Sequence, residues 1–356
     1  MARIAILGAG MMGSALSLPL IDRGHELRLI GTELDAEIIT ALKGGAQHPT
    51  LHLPLPSTIR PFYAAELCHA LSGVDAIALG VSSAGVRWAG QALAPWLRAG
   101  VPLLMVSKGL VYEAGRFQIL PDILKQELPQ ELAVDPVAVG GPCIAGELGR
   151  RVETCVVFTG RNPESVNAWA ELARGPYYHV FTSSDPVGTE ACAALKNAYA
   201  MGIGFAAGLH EKSGGECRQH RHAQLRSRPL RTGHPRSQAA TELLGGDPEC
   251  ASGLPFAGDL NVTCNGGRTG RFGRFLGRGL GRAGAVSAMN GCHAGVFGNL
   301  GDAAHRASGP RSNKQLQAER FAIPFAHARG RAGRSPSRHS VSTVLQGAST
   351  NVKRSE

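Results

Sequence analysis

Lys196 sits within EACAALKNAYAMGIGFAAGL, Glu190 to Leu209, where Ala, Leu, Met, Ile and Phe leave a helix with almost no polar face. An unpaired ammonium buried there is costly unless a partner holds its charge or its pKa falls. A lysine snorkelling to water is the bland explanation, but snorkelling needs a polar face to reach. The favoured reading is a lysine facing a cleft, able to give a proton to a nascent alkoxide and to take one back in reverse. Farther on, LPFAGDLNVTCNGGRTGRFGRFLG supplies partners for it. Asp259 stands between small residues and an apolar run, and Arg268 lies in a Gly-rich turn suited to gripping a phosphate bidentately. Their ordinary counterparts are an N-cap carboxylate and a solvated arginine. Lys108 follows PLLMVS and precedes Gly109, while Gly140, Gly141 and Pro142 close VAVGGP. Both places lie beyond strand ends, where open α/β sheets bind ligands, although a solvated loop lysine and a plain turn read the same way.

A second constellation lies at the start of the chain. Gly8-Ala9-Gly10-Met11-Met12-Gly13 is a GxGxxG directly after a strand and directly before a helix. In that context the first glycine permits the tight turn, the second lets a pyrophosphate approach the backbone, and the third lets helix and strand pack closely. The phosphates then sit on the helix N-terminus. The alternative is a Gly-rich turn in another α/β fold. The second strand ends at Gly31, followed by Thr32 and Glu33. Glu33 stands where an acid can accept from the adenosine ribose and would repel the extra phosphate of NADP, a lean toward NAD. An exposed Glu opening the next helix is the plain alternative.

The elements that must position these residues follow from the hydrophobic pattern. ARIAILGAG precedes a helix from Ser14 to Arg23, and HELRLIG one from Leu34 to Lys43. VDAIALGV, PLLMVSKGL, PVAVGGP and TCVVFTG are further strands. Apolar strands alternating with crossovers indicate an α/β, doubly wound, mostly parallel sheet over residues 1–185. From Asp185-Pro186 the texture becomes helical, with Asp at the N-cap and Pro at the first helical position.

The formal charge of +10 is unevenly spread. Residues 217–238 hold six Arg and no acid (+6), and 292–356 hold ten Lys and Arg against three acids (+7), leaving the remainder at −3. Nothing in that mildly acidic body resembles a basic face interleaved with aromatics, so no nucleic-acid partner is expected. The eight cysteines include no CxxC pair, which favours free thiols in a reducing, cytoplasmic setting and gives no zinc or other metal site. No apolar run is long enough to span a membrane, and glycines break the one stretch that looks like a signal peptide.

GAGMMG, VSKGL, GPCIAGEL, EACAALKNAYAMGIGFAAGL and AGDLNVTCNGGRTGRFG occur in the order and spacing of NAD(P)-dependent glycerol-3-phosphate dehydrogenases, and the chain resembles that family over about 1–215 and again over about 239–291. The resemblance implies a Rossmann domain (1–185), then an all-helical substrate and catalytic domain (186–291), with the active site between them. It implies interconversion of dihydroxyacetone phosphate and sn-glycerol 3-phosphate with NAD or NADP. Lys196 takes the place of the proton-transferring lysine, with Asn197 beside it. Lys108 matches the crevice lysine that contacts substrate, and is expected to reach the cofactor as well. Gly141 and Cys143 match the substrate-contacting turn, Ala145 a cofactor neighbour, Asp259 the substrate-site carboxylate, and Arg268 the arginine reaching phosphate and cofactor. Gly8, Gly10, Met11, Met12, Gly13, Thr32 and Glu33 complete the implied cofactor site. The partner is thus a small phosphorylated triose, and a homodimer is an allowed assembly.

Departures from the pattern are specific. Cys143 stands where serine is usual, Thr269 where asparagine follows the arginine, and Met11 and Met12 where Ser and an aromatic are frequent. The tracts 217–238 and 292–356 carry Arg-, Gly-, Ser- and His-rich sequence where the family has amphipathic helices and a late cofactor-contacting acid. They read as the product of a shifted frame in a GC-rich gene, restored near Ala239 and lost again near Gly291. The chain would then lack helices that cover the helix of Lys196. Translating the other two frames tests this, and failure to find acid-containing amphipathic helices there would make the tracts genuine. Two rival functions remain at this stage. One is a β-hydroxyacid dehydrogenase, which also pairs a Rossmann domain with a helical lysine. The other is a non-catalytic nucleotide-binding protein whose basic arms engage nucleic acid.

Overall fold

Strand β1 (Arg3–Leu7) shows how the sequence builds two cores at once. Successive side chains of a strand point to opposite faces, so Ile4 and Ile6 join one apolar cluster while Ala5 and Leu7 join the other. The computed structural model describes residues 1–214, 234–265 and 267–289. Around β1 run β2 (Glu26–Ile30), β3 (Ile59–Phe62), β4 (Ala76–Leu79), β5 (Leu103–Met105), β8 (Val137–Gly140), β9 (Thr154–Thr159) and β10 (Tyr178–Ser183). Their order is β10-β9-β8-β5-β4-β1-β2-β3. From β3 to β8 the neighbours are parallel; β9 runs antiparallel to β8, and β10 parallel to β9. The parallel part has the order of a doubly wound dinucleotide-binding sheet, whose strand order reverses at β1. Crossovers are helical: α1 (Met11–Asp22), α2 (Ala36–Lys43), α3 (Leu67–Leu71), α4 (Val86–Leu93), α5 (Leu120–Gln126), α6 (Ala145–Leu148) and α7 (Pro163–Ala173).

Several boundaries differ from the sequence reading. PLLMVSKGL splits at Lys108 into β5 and β6 (Leu110–Glu113), and β6 forms an antiparallel hairpin with β7 (Arg116–Ile119). Helix α2 is preceded by a 3-10 turn over Glu33–Asp35. β3 and β10, at the two edges of the sheet, were not among the expected strands.

Residue 185, where the sequence leads one to expect a junction, lies in the turn between β10 and the next helix. Asp185 caps α8 (Pro186–Lys212) by accepting from Gly188 N at 2.9 Å, with Pro186 in the first turn. Residues 234–243 are helical (α9), followed by a π-helical turn at Leu254–Gly258, then α10 (Asp259–Cys264), α11 (Arg268–Gly277) and α12 (Arg282–Ser287). Helices α8 and α11 touch through their backbones. A methyl group on Gly204 would strike the carbonyl of Gly270, and one on Gly277 the carbonyl of Phe205. Past this crossing, Glu211 pairs with Arg274 and Arg278.

The last five residues of the basic tract 217–238 belong to α9, where Ser237, Ala240 and Thr241 are buried. Their spacing of three and four is helical, but small and hydroxyl side chains hide it from a hydrophobicity pattern. The rest of that tract up to 233, and the tail 292–356, lie outside the described residues. Among the described residues no helix is long and apolar enough to cross a membrane, and all six cysteines are free thiols.

Candidate active site

The three glycines of the first loop do three different jobs. Gly8 has φ +109°, and a Cβ there would lie 2.7 Å from the Gly80 carbonyl carbon, so neither the conformation nor the space admits another residue. Gly13 packs against the Gly8 carbonyl, closing α1 onto β1. Gly10, the N-cap of α1, has nothing within 4 Å of where a Cβ would stand. The result is an open approach to a helix N-terminus, which fits the diphosphate of a dinucleotide. Met11 is exposed beside it, whereas Met12 packs on the core and accepts a weak contact from the Cys143 thiol at 3.9 Å. Ala145, buried, opens α6.

At the end of β2, Thr32 donates from both N and Oγ1 to Asp35 Oδ2 at 2.9 Å, and the same oxygen accepts from Ala9 N at 3.1 Å. Asp35 thus ties the second strand to the glycine loop, while Glu33 is exposed. Asp35 is not among the residues expected from the sequence.

The second half of the site is built on one carboxylate. Lys108, just past β5, donates to Asp259 Oδ2 at 3.0 Å and to the Gly141 carbonyl at 2.7 Å. Gly141 has φ +97°, a turn that a side chain resists. Lys196, in mid α8, donates to Asp259 Oδ1 at 2.6 Å and to Thr263 Oγ1 at 3.0 Å. Asp259 and Thr263 are one turn apart on α10, so they present one face. Lys196 is only 9% exposed and does not snorkel.

Two cations on one buried anion separate the three pKa values. Burial alone would raise Asp259, but Lys108 and Lys196 outweigh it and hold the carboxyl below its usual range. Burial opposes the charge of Lys108, yet Asp259 overcomes it and the pKa is raised. For Lys196, burial and the nearby Lys108 charge together exceed the pull of Asp259, so its pKa lies below the ordinary lysine value. A lysine lowered in this way is better matched to exchanging a proton. Cys143 is pushed up to about 12 by burial and stays a thiol at neutral pH.

Glu190 has no role expected from the sequence. It is fully buried, and its Oε2 accepts from Gly109 N at 3.2 Å, joining α8 to the turn that carries Lys108. Burial pushes its carboxyl up to about 8, against the Gly109 amide and Lys108, so it is predominantly protonated at neutral pH. Of the expected substrate residues, the structure brings together Lys108, Gly141, Lys196 and Asp259. Asn197 follows Lys196 on α8, half-buried. Arg268 is exposed at the first position of α11, with Thr269 buried next to it.

A doubly wound sheet, a glycine loop opening α1 and a buried lysine–carboxylate pair beyond the strand ends define the class: a dinucleotide-dependent oxidoreductase. The model of the NAD-dependent glycerol-3-phosphate dehydrogenase N-terminus matches residues 3–166, and that of the C-terminus matches 185–299. The chain belongs to the NAD-dependent glycerol-3-phosphate dehydrogenase family. It is 35% identical over 277 residues to the NADP(+)-dependent glycerol-3-phosphate dehydrogenase of Archaeoglobus fulgidus, covering 78% of this chain and 80% of that one. A Bacillus thuringiensis glycerol-3-phosphate dehydrogenase [NAD(P)+] is 32% identical over 289 residues, covering 78% of each chain. The crystal structure of glycerol-3-phosphate dehydrogenase from Coxiella burnetii aligns with TM-score 0.73 and 26% identity, covering 91% of this chain and 95% of that one. Of the three functions left open by the sequence, these findings select the first.

Proposed function

We propose that the chain interconverts dihydroxyacetone phosphate and sn-glycerol 3-phosphate, with Lys196 giving and taking the proton at the C2 oxygen. The observation that carries this reading is the convergence of Lys108 and Lys196 on buried Asp259. When bound, the nicotinamide dinucleotide supplies the hydride to C2 or accepts it in reverse. Lys196 protonates the oxygen as negative charge develops there, and Asp259 and Thr263 keep its Nζ in place. Lys108 orients the substrate oxygens from the opposite side of Asp259. Glu190 holds the Gly109 amide and so the turn on which Lys108 stands. Arg268 at the start of α11 is assigned the phosphate. Asn197, Gly141, Cys143 and Thr269 are assigned to the substrate's surroundings.

The exposed carboxylate of Glu33 favours NAD, whereas the Archaeoglobus relative carries NADP(+) dependence in its name. Affinities for NADH and NADPH measured side by side decide the preference. We place the protein in the cytoplasm, with a small phosphorylated triose as partner and no nucleic acid; sedimentation distinguishes monomer from homodimer. The function is tested by NADH and NADPH oxidation with dihydroxyacetone phosphate, unphosphorylated dihydroxyacetone and short keto acids. Turnover with the phosphorylated triose alone is expected, and preference for a keto acid would overturn the assignment.

A further inference from the structure

Side chains outside the lysine cluster converge on the middle residue of the glycine loop. The N–H of Ala9 donates to Asp35 Oδ2 at 3.1 Å. Its carbonyl accepts from Ser14 Oγ at 2.9 Å and lies 2.9 Å from His48 Nε2. His48 is fully buried, on the segment between α2 and β3. The tautomer follows from its other nitrogen. Nδ1 lies 3.3 Å from Thr50 N and 3.2 Å from Leu51 N, and backbone amides only donate. Nδ1 therefore carries the lone pair, and Nε2 carries the hydrogen given to Ala9. Burial holds the ring below the usual imidazole range, against the Ala9 carbonyl and the Asp35 charge, so it is neutral at neutral pH.

Resting on the reading that this loop receives a dinucleotide, we propose that His48 is a positioning residue of that site. With Asp35 on the other side, it fixes the peptide units of Ala9 and thereby the direction of the loop amides that meet the diphosphate. Glycines on both sides of Ala9 let the backbone approach a ligand, and the same freedom lets the loop reorient. Gripping Ala9 by its N–H and its C=O removes that freedom. The open space at Gly10 is preserved.

His48→Asn separates the two roles of the ring. An Asn side-chain oxygen can replace Nδ1 as acceptor for the amides of residues 50 and 51, and Asn is well suited to a turn before Pro49. It is too short to reach Ala9. His48→Gln carries its N–H farther and serves as the rescue. On the full chain, NADH titration by fluorescence should show Kd about tenfold higher for His48→Asn, the upper worth of one buried neutral hydrogen bond. The KM for dihydroxyacetone phosphate and kcat at saturating NADH should stay within about twofold, a far smaller energy, and His48→Gln should recover most of the affinity. Unchanged Kd in His48→Asn, or an equal rise in the KM for the triose, overturns the proposal. Should His48→Asn fail to fold, Asp35→Ala acts on Ala9 from the other side, and the same selective rise is required of it. An unmutated chain that folds but does not bind NADH removes the dinucleotide reading itself, whereas binding that His48→Asn leaves intact removes only the role of His48.

Discussion

In the sheet-based half of the chain, ion pairs lie at the rim. Arg161 meets Asp122 through two hydrogen bonds of 2.5 and 3.1 Å, and Lys43 meets Glu66 at 2.7 Å, all with side chains in contact with water. The large apolar clusters on either face of the sheet need no charge to hold them. The helical half has rim pairs too, at Glu211 with Arg274 and Arg278, but it adds a charged cluster inside. Among the described residues its apolar clusters are small, and its centre is Asp259, 3% exposed, with one lysine from α8 and one from the sheet side. Exposed pairs are worth about 0.2–1 kcal/mol, whereas removing one partner of a buried pair costs about 3–5 kcal/mol. Asp259 is thus a structural keystone of the helical half as well as the proposed site's anchor: its loss leaves buried Lys196 and half-buried Lys108 uncompensated.

Asp259→Asn is the strongest challenge to that contrast. It should destabilise the protein by about 3–5 kcal/mol in urea unfolding and abolish turnover. A change no greater than that of a rim variant would show that Asp259 is not a structural centre. The backbone crossing of α8 and α11 comes next. Gly277→Ala places a methyl against the Phe205 carbonyl and should cost about 1–3 kcal/mol, while Gly281→Ala, with open space around it, serves as the control. An equal effect at both positions would mean that the crossing has room to spread.

Glu190 makes the buried interior of the helical half sensitive to pH. Its folded pKa of about 8 exceeds the unfolded value of 4.5, so the folded state holds a proton that the unfolded state releases. Its contribution to stability is complete below pH 4.5 and is lost as pH rises through about 8. Glu190→Gln should flatten that decline in melting temperature, and an unchanged slope would show that another group causes it. The smallest effect belongs to the rim: Asp122→Ala should change stability by at most about 1 kcal/mol, and less in high salt.

How much of this was legible in the sequence depends on whether a residue looks wrong where it stands. Lys196 is a charge inside an apolar helix, and Gly8, Gly10 and Gly13 are three glycines at a strand–helix turn; both announce a site. Asp259 and Lys108 follow from their places beside a small-residue turn and a strand end. Thr263, Glu190, Asp35 and His48 look ordinary, and their roles come from partners brought near by folding. Glu190 and Gly109 are 81 residues apart, and His48 and Ala9 are 39 apart. Thr263 had one signal, its helical spacing of four from Asp259. The edge strands were missed for local reasons. β3 carries a proline, which only an edge position tolerates, and the last three residues of β10 are not buried.

Lys196 is the group proposed to move the proton. The most direct test measures NADH oxidation by dihydroxyacetone phosphate in the full chain and in Lys196→Ala, with NADH binding followed in both. In Lys196→Ala, kcat is expected to fall by about 10²–10⁴-fold, the usual worth of a general acid, with the NADH Kd essentially unchanged. Near-normal turnover in Lys196→Ala would contradict that role.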